Sequence, residues 1–506
     1  MIENVVPPER EAPAVLIVGA GPTGLTLACD LARRGVAARI VEASPGPQPG
    51  SRGKGLQPRS LEVFDDLGIV ERVLAHGRPA MPMRSVALDG QVTLGGAEPE
   101  SLRNRPDIPY TTSLVTPEWR VEEALRLLLT DLGGTVEFGT TLVGFEQSEE
   151  GVSAVVVKDG ETETITARWL VGCDGGHSTV RKQAGIAFEG ETREEVRMLV
   201  ADVDVDGLDR EAWHMWRHAD GFLALCPLPS TDVFQYQAGL APGQDPGLSV
   251  ANLQAILERR SGRTDLRLRE PEWSSLWRAN IRLADRYRAG CVFLAGDAAH
   301  IHSPAGGQGM NTGIQDAYNL GWKLAAVAKG ASPALLDSYE AERRPVAAGV
   351  LVSSTARLER TLERGGVSTR RDASTLQLDV NYRGSALAVD DRDETAVLRA
   401  GDRAPDATAL KTVDGERRLF DLTRGGRFTL LDFGSPAEPL PPGVERFRVV
   451  DRPAGPDEVA DTEGHLAGAY GATRRTLVLI RPDGYIGLIS DAGEIAAVAR
   501  YLGSIS

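Results

Sequence analysis

Gly19-Ala-Gly21-Pro22-Thr23-Gly24 follows directly on the apolar run AVLIV at 14–18 and opens a stretch of helical periodicity from about Pro22 to Arg34. The three glycines suit separate tasks. Gly19 permits a tight turn, Gly21 lets the backbone approach a pyrophosphate, and Gly24 lets helix and strand pack closely. The pyrophosphate would then sit on unpaired N–H groups at the helix N-terminus. A second strand, Ala37 to Glu42, ends in a carboxylate 18 residues beyond Gly24. Placed there, Glu42 can accept hydrogen bonds from the ribose hydroxyls of an adenosine. A glycine loop alone is a weak signal and could be a turn without ligand. With strand, helix and terminal acid in place, it reads as a dinucleotide site.

Two further motifs stand at strand ends. Cys173-Asp174-Gly175-Gly176-His177-Ser178-Thr179-Val180-Arg181 follows WLVG, and Gly296-Asp297-Ala298-Ala299-His300 follows CVFLA. The latter continues to Pro304-Ala-Gly-Gly-Gln-Gly309-Met310-Asn311. Each alone could be a turn held by a capping Asp. Three such motifs in this order are much harder to obtain by accident.

The series GxGxxG, DGxxSxVR and GDAAHxxxPxxGxGxN resembles the group A flavoprotein aromatic hydroxylases, relatives of p-hydroxybenzoate hydroxylase and phenol hydroxylase, over roughly residues 14 to 360. SRGKGLQPRSLEVF at 51–64 further resembles actinomycete aromatic-polyketide hydroxylases and rifampicin monooxygenases. The resemblance implies FAD as cofactor, NADPH or NADH as reductant and O2 as co-substrate. It implies that Asp297 bonds the ribityl chain and that Gly309, Met310 and Asn311 offer backbone N–H groups to the flavin pyrimidine edge. The helix that opens there would direct its positive end at the N1–C2=O region, where reduced flavin is negative. Gln57 and Arg120 fit side-chain contacts to the cofactor, and Arg52 an arginine close to FAD. Asp174 and Arg181 belong to the motif shared between FAD and NAD(P)H binding. Pro304 lies on the loop near the reactive face.

The implied chemistry is hydride transfer from NAD(P)H to FAD, formation of a flavin C4a-hydroperoxide from O2, and transfer of one oxygen to an electron-rich ring carbon. The cofactor does the difficult step while the protein positions the ring and excludes water. No catalytic base is therefore assigned. The leading substrate is a polycyclic aromatic of polyketide or antibiotic type. A small phenol, or a Baeyer–Villiger or ring-opening outcome, shares every cofactor motif. A flavin protein that binds an aromatic ligand without turnover is the alternative from another class.

These motifs need an α/β frame to position them. The expectation is a Rossmann-like FAD-binding domain from segments 14–80, 111–187 and 281–365. A β-sheet substrate domain would come from 81–110 and 188–280. Helices are read at Glu118 to Leu132 and from about Thr312 to Ala328, and strands at Val152 to Val157, Thr164 to Leu170 and Val292 to Ala295. Residues near 357 to 375 read as helix and linker. The character changes after about 385, and FTLLDF and TLVLI mark a separate domain over 385–506. By the resemblance this domain is thioredoxin-like. No cysteine follows Cys291, so dithiol chemistry is excluded there and a structural or oligomerisation role is expected.

Trp213, Trp216, Phe222 and Phe234 fall in the middle region and could stack on a planar substrate, with core packing as the alternative for each. His214 and His218 would form a metal-ligand pair if helical, but no third ligand is evident, so no metal is expected. For His300 and His302 a structural hydrogen bond is the reading. The net charge of −15 argues against nucleic acid and anionic lipid as partners. No apolar run reaches membrane-spanning length and the N-terminus lacks a signal-peptide pattern, so a cytoplasmic protein is expected. A homodimer is the candidate assembly.

Overall fold

The computed structural model describes residues 12–96, 98–303, 306–364, 373–393, 395–436 and 438–505, with the side chains of 361–364 left aside. Its first layer is a six-stranded sheet in the order Arg288–Ala289, Val292–Leu294, Trp169–Gly172, Val15–Val18, Ala38–Glu42, Val136–Phe138. All pairs are parallel except the first. Val15–Val18 is buried along its whole length, as an apolar strand covered on both faces must be. Helices Pro22–Arg33, Glu118–Asp131 and Gly309–Ala328 share its core with an antiparallel sheet of Thr140–Gln147, Val152–Lys158 and Glu161–Ala167. The single strand expected over Thr164 to Leu170 is in fact two: the chain leaves the antiparallel sheet at Ala167 and enters the parallel one at Trp169.

The middle region forms an eight-stranded sheet: His300–Ile301, Trp273–Ala284, Phe188–Val203, Phe234–Leu240, Gly221–Pro227, Trp213–His218, Met83–Val86, Val92–Gly95. Helix Val250–Ser261 covers one face, packing Leu253, Ile256 and Leu257 against Leu199, Ala201 and Tyr236. The other face looks toward the segment carrying Ser51 and Lys54. His214 and His218 lie on the strand Trp213–His218 and not on a helix. At about 3.3 Å per residue they are separated by some 13 Å, too far to share an ion.

Residues after 385 build a second eight-stranded sheet whose centre runs Glu458–Asp461, Val444–Val449, Phe428–Asp432, Leu477–Ile480, Ile486–Ser490. Two parallel pairings followed by two antiparallel ones give the thioredoxin-like arrangement. This domain is not separate in packing. Leu431, Val478 and Ile489 face its own core, whereas Leu430, Leu479 and Leu488 join the core of the first layer. A strand buried on both faces reads as a continuous apolar run, which TLVLI is. Residues 100–108, read with the middle region, also lean this way: Leu102 and Ile108 pack on Leu376, and Asp107 O accepts from Asp406 N.

Candidate cofactor and substrate site

The three strand-end motifs converge. Gly19 has φ +104°, and a β-carbon there would lie 2.3 Å from Cys173 O, so the first and second loops touch. A β-carbon at Gly24 would lie 2.0 Å from Gly19 O. Thr23 Oγ1 would stand 2.5 Å from a β-carbon at Gly296, which brings in the third loop. Gly21 has no neighbour within 4 Å of the same test position, so the face meant for a pyrophosphate is open. Pro22 occupies the first helical turn, where its missing N–H costs nothing. Glu42 accepts from Ala20 N and Ser44 N, each at 2.9 Å, and so ties the glycine loop to the end of the second strand.

Asp297 is exposed, yet desolvation raises its carboxyl, opposed by His300 and Arg52 and assisted by Asp316. Arg52 also acts on Glu118, whose carboxyl is raised mainly by burial. Glu118 Oε2 accepts from Gly53 N at 2.6 Å. Sequence reading missed Glu118 because an acidic residue in a first helical turn is ordinary.

Gln57 and Asn311 are bonded to each other and to the loop at 306–307. Gln57 is 1% exposed. Its Nε2 donates to Gly306 O and Gly307 O at 3.2 and 3.0 Å, and its Oε1 accepts from Ser113 Oγ. Asn311 Oδ1 accepts from Gln57 N at 2.7 Å, and its Nδ2 donates to Gly55 O and Gly307 O. The two side chains lock segment 51–57 to the loop before helix Gly309–Ala328. That helix begins at Gly309, three residues before the expected start, so Gly309 and Met310 lie in its first turn with N–H groups lacking helical partners. Pro304 lies outside the described residues.

Asp174 caps helix Thr179–Gln183: its carboxylate accepts from Ser178 Oγ, Thr179 N and Val180 N. Arg181 donates to Ala298 O and Gly176 O, both at 2.9 Å, bridging the second and third motifs. Arg120 donates to Glu123 Oε2 at 2.7 Å, while its Nε is buried without a hydrogen-bond partner. His300 links His302, at 3.2 Å, to Asp316, at 2.7 Å, and Arg343 closes the chain on Asp316 at 2.7 Å. These contacts fit a dinucleotide with a flavin end. The features that would meet it are a glycine with open space beside it, an arginine nitrogen buried without a partner, a desolvated carboxylate and a helix first turn.

Alternation along the eight-stranded sheet of the middle region, the roof sheet, separates the aromatic candidates. Trp216 and Phe234, 7% and 1% exposed, belong to the core under helix Val250–Ser261. Core packing accounts for both. Phe222 is half-buried on the opposite face, beside Trp213, Met215 and Met83. Among the described residues no group of three or more His, Cys, Asp or Glu could hold a metal, and no helix is long and apolar enough to cross a membrane.

Comparison with known proteins gives a consistent picture. The family described as FAD binding domain matches residues 12–354, and that described as aromatic-ring hydroxylase, C-terminal, matches 398–504. A flavin-dependent monooxygenase of Mycobacteroides abscessus is 45% identical, over 97% of this chain and 99% of its own. Pentachlorophenol 4-monooxygenase of Sphingobium chlorophenolicum is 36% identical, over 94% and 93%. The crystal structure of aklavinone-11 hydroxylase with FAD and aklavinone superposes with a TM-score of 0.84 at 26% identity, covering 97% of this chain and 98% of that one.

Proposed function

The chain belongs to the family of FAD-binding aromatic-ring hydroxylases and is a flavin-dependent monooxygenase, and from that premise we propose that it hydroxylates a polycyclic aromatic of polyketide or antibiotic type, with NADPH or NADH as reductant and O2 as co-substrate. The observation that carries this reading is the meeting of the three loops, with Gly19 against Cys173 and Thr23 against Gly296. A relative that acts on pentachlorophenol supports a small phenol as the second reading.

Bound FAD would supply both hydride acceptance and the activation of O2. This chain's residues do the rest. The open backbone at Gly21 and the start of helix Pro22–Arg33 receive the pyrophosphate, and Glu42 fixes the loop that does so. Asp297 is the partner proposed for the ribityl hydroxyls. The first turn of helix Gly309–Ala328 presents N–H groups and a positive end to the pyrimidine edge. Gln57 and Asn311 hold that turn in place. The roof face around Trp213, Met215 and Phe222 orients a flat substrate and sheds water. In a test, NADPH oxidation by the FAD-loaded protein is followed across a panel of phenols, tetracyclic polyketides and rifamycins. Stimulation of about tenfold or more by a polycyclic member is expected. Stimulation by none of them would remove the proposed substrate class.

A further inference from the structure

A cavity of about 740 Å³ lies at the seam between the C-terminal domain and the rest of the chain. One wall is formed within 105–107 and 378–383, the other within 392–405 and 468–471. None of its lining residues belongs to the three strand-end motifs. The volume is in the range of sites that hold small organic molecules. Leu378, Val380, Leu398 and Pro405 give it an apolar surface. Val397 stands at its rim, 89% exposed, and an apolar side chain left in water favours a ligand that covers it.

The polar part of the lining is positive, in a chain whose net charge is −15. Arg105, Arg383, Arg392 and Arg403 stand there against Asp107, Asp379 and Asp402. Two of the acids are already taken up. Arg105 bonds Asp107 at 2.7 and 2.5 Å, and Arg383 bonds Asp402 at 2.6 and 2.8 Å. Arg403 turns away to Glu62 Oε1 at 2.9 Å. Arg392 is the cation whose hydrogen-bonding capacity is left over. Its side chain is 7% exposed, and Nη1 donates to Tyr470 O at 2.9 Å. Its Nε lies 3.6 Å from Asp491 Oδ2 and is buried without a hydrogen-bond partner. Its Nη2 donates to no described residue and faces Gly471 on the cavity wall, where a β-carbon would lie 3.2 Å from it. A guanidinium held in place and only partly hydrated suits an oxyanion, and the attraction is stronger at a half-buried site than in water.

We propose that this cavity is a second ligand site, apart from the cofactor and substrate, for an organic anion: its acidic oxygens on Arg392 and its apolar body against Leu378, Val397 and Leu398. Such a ligand touches both walls, so it braces the C-terminal domain against the rest of the chain. A ligand that binds only the folded form stabilises it. The brace reaches the flavin side through one wall. Asn381 and Arg383 flank Tyr382, whose hydroxyl accepts from Arg343 Nη1 at 2.9 Å, and Arg343 bonds Asp316 in the chain that leads to His300 and His302.

The test uses the full chain loaded with FAD and two probes of one shape, naphthalene-1-sulfonate and the neutral naphthalene-1-sulfonamide, read by titration calorimetry. Wild type is expected to bind the sulfonate about tenfold tighter than the sulfonamide, and inorganic sulfate should not displace it. Arg392→Met should erase the preference. Val397 is exposed, so its substitutions leave the fold intact: Val397→Asp should weaken the sulfonate about threefold and Val397→Lys tighten it about threefold. The sulfonate should also raise the temperature at which wild type releases FAD, read by flavin fluorescence. Equal binding of the two probes overturns the proposal, as does a sulfonate affinity indifferent to both Val397 substitutions. Displacement by sulfate would show that the apolar surface takes no part, and a release temperature unmoved at saturation would remove the brace.

Discussion

His302 packs its ring on His300 with centroids 5.1 Å apart. Burial, helped by the charge of His300, lowers its pKa from 6.5 to about 3. Between those values the unfolded chain binds the proton that the folded chain refuses, so this group makes stability fall as pH falls through the window. At pH 5 the effect is roughly 2 kcal/mol. His302→Gln removes the titration, and the drop in Tm between pH 7 and pH 5 should shrink relative to wild type. An unchanged drop would mean that His302 is not held neutral. At this scale the strand-end motifs were plain in the sequence, because each needs only a few adjacent residue types. Asp316 and Arg343 were not, since they meet across 27 residues with nothing in local spacing to pair them. The bonds between Gln57, Asn311 and the loop at 306–307 were not legible, since these residues lie some 250 apart in the chain. A list of polar residues near a cofactor does not say which of them bond to one another.

Strand Trp213–His218 decides which aromatic residues touch a substrate. Its alternation sends His214 and Trp216 under helix Val250–Ser261, and Trp213 and Met215 to the opposite face. Trp216→Ala should cost about 3–5 kcal/mol of stability, the usual toll of emptying a core site, measured by denaturant unfolding. Phe222→Ala, on the opposite face, should weaken binding of an aromatic probe with a smaller loss of stability. The reverse pattern would put the substrate on the wrong side of the sheet. The sequence showed that this region holds strands and tryptophans. It did not show the face, because Trp-His-Met-Trp-Arg-His puts large side chains on both sides of a strand, and a period of two then carries no signal. The Pro22–Arg33 and Glu118–Asp131 helices were legible nearly to their ends, since each carries one apolar stripe.

The molecule as a whole is tied together by a buried ionic cluster. Lys323 and Glu342 meet at 2.7 Å, Arg481 reaches Glu342 at 2.7 Å and Asp483 at 2.6 Å, and all four side chains are fully buried. Trp322 Nε1 and Asn319 Nδ2 add hydrogen bonds to Asp483 at 3.1 Å. Two cations and two anions cancel, so the cluster is tolerable only while complete. Arg481→Met leaves two carboxylates against one lysine and should cost about 3–5 kcal/mol. It should also lower the temperature at which FAD is released, read by flavin fluorescence. A wild-type release temperature would show the C-terminal domain to be dispensable for the flavin fold. Composition changes after residue 385, but Glu342 and Arg481 are 139 residues apart and nothing in it pairs them. Such a pairing is set by packing, and the shared core of Leu430, Leu479 and Leu488 is legible only once the sheet is placed.

The most direct measurement is the mass of the product formed from isotopically heavy O2 by the FAD-loaded protein with NADPH and a polycyclic phenol. One heavy oxygen atom in the product, on a ring carbon, is the predicted result. Oxygen drawn from water instead, or NADPH consumed with only heavy hydrogen peroxide formed from every polycyclic phenol tried, would contradict the account.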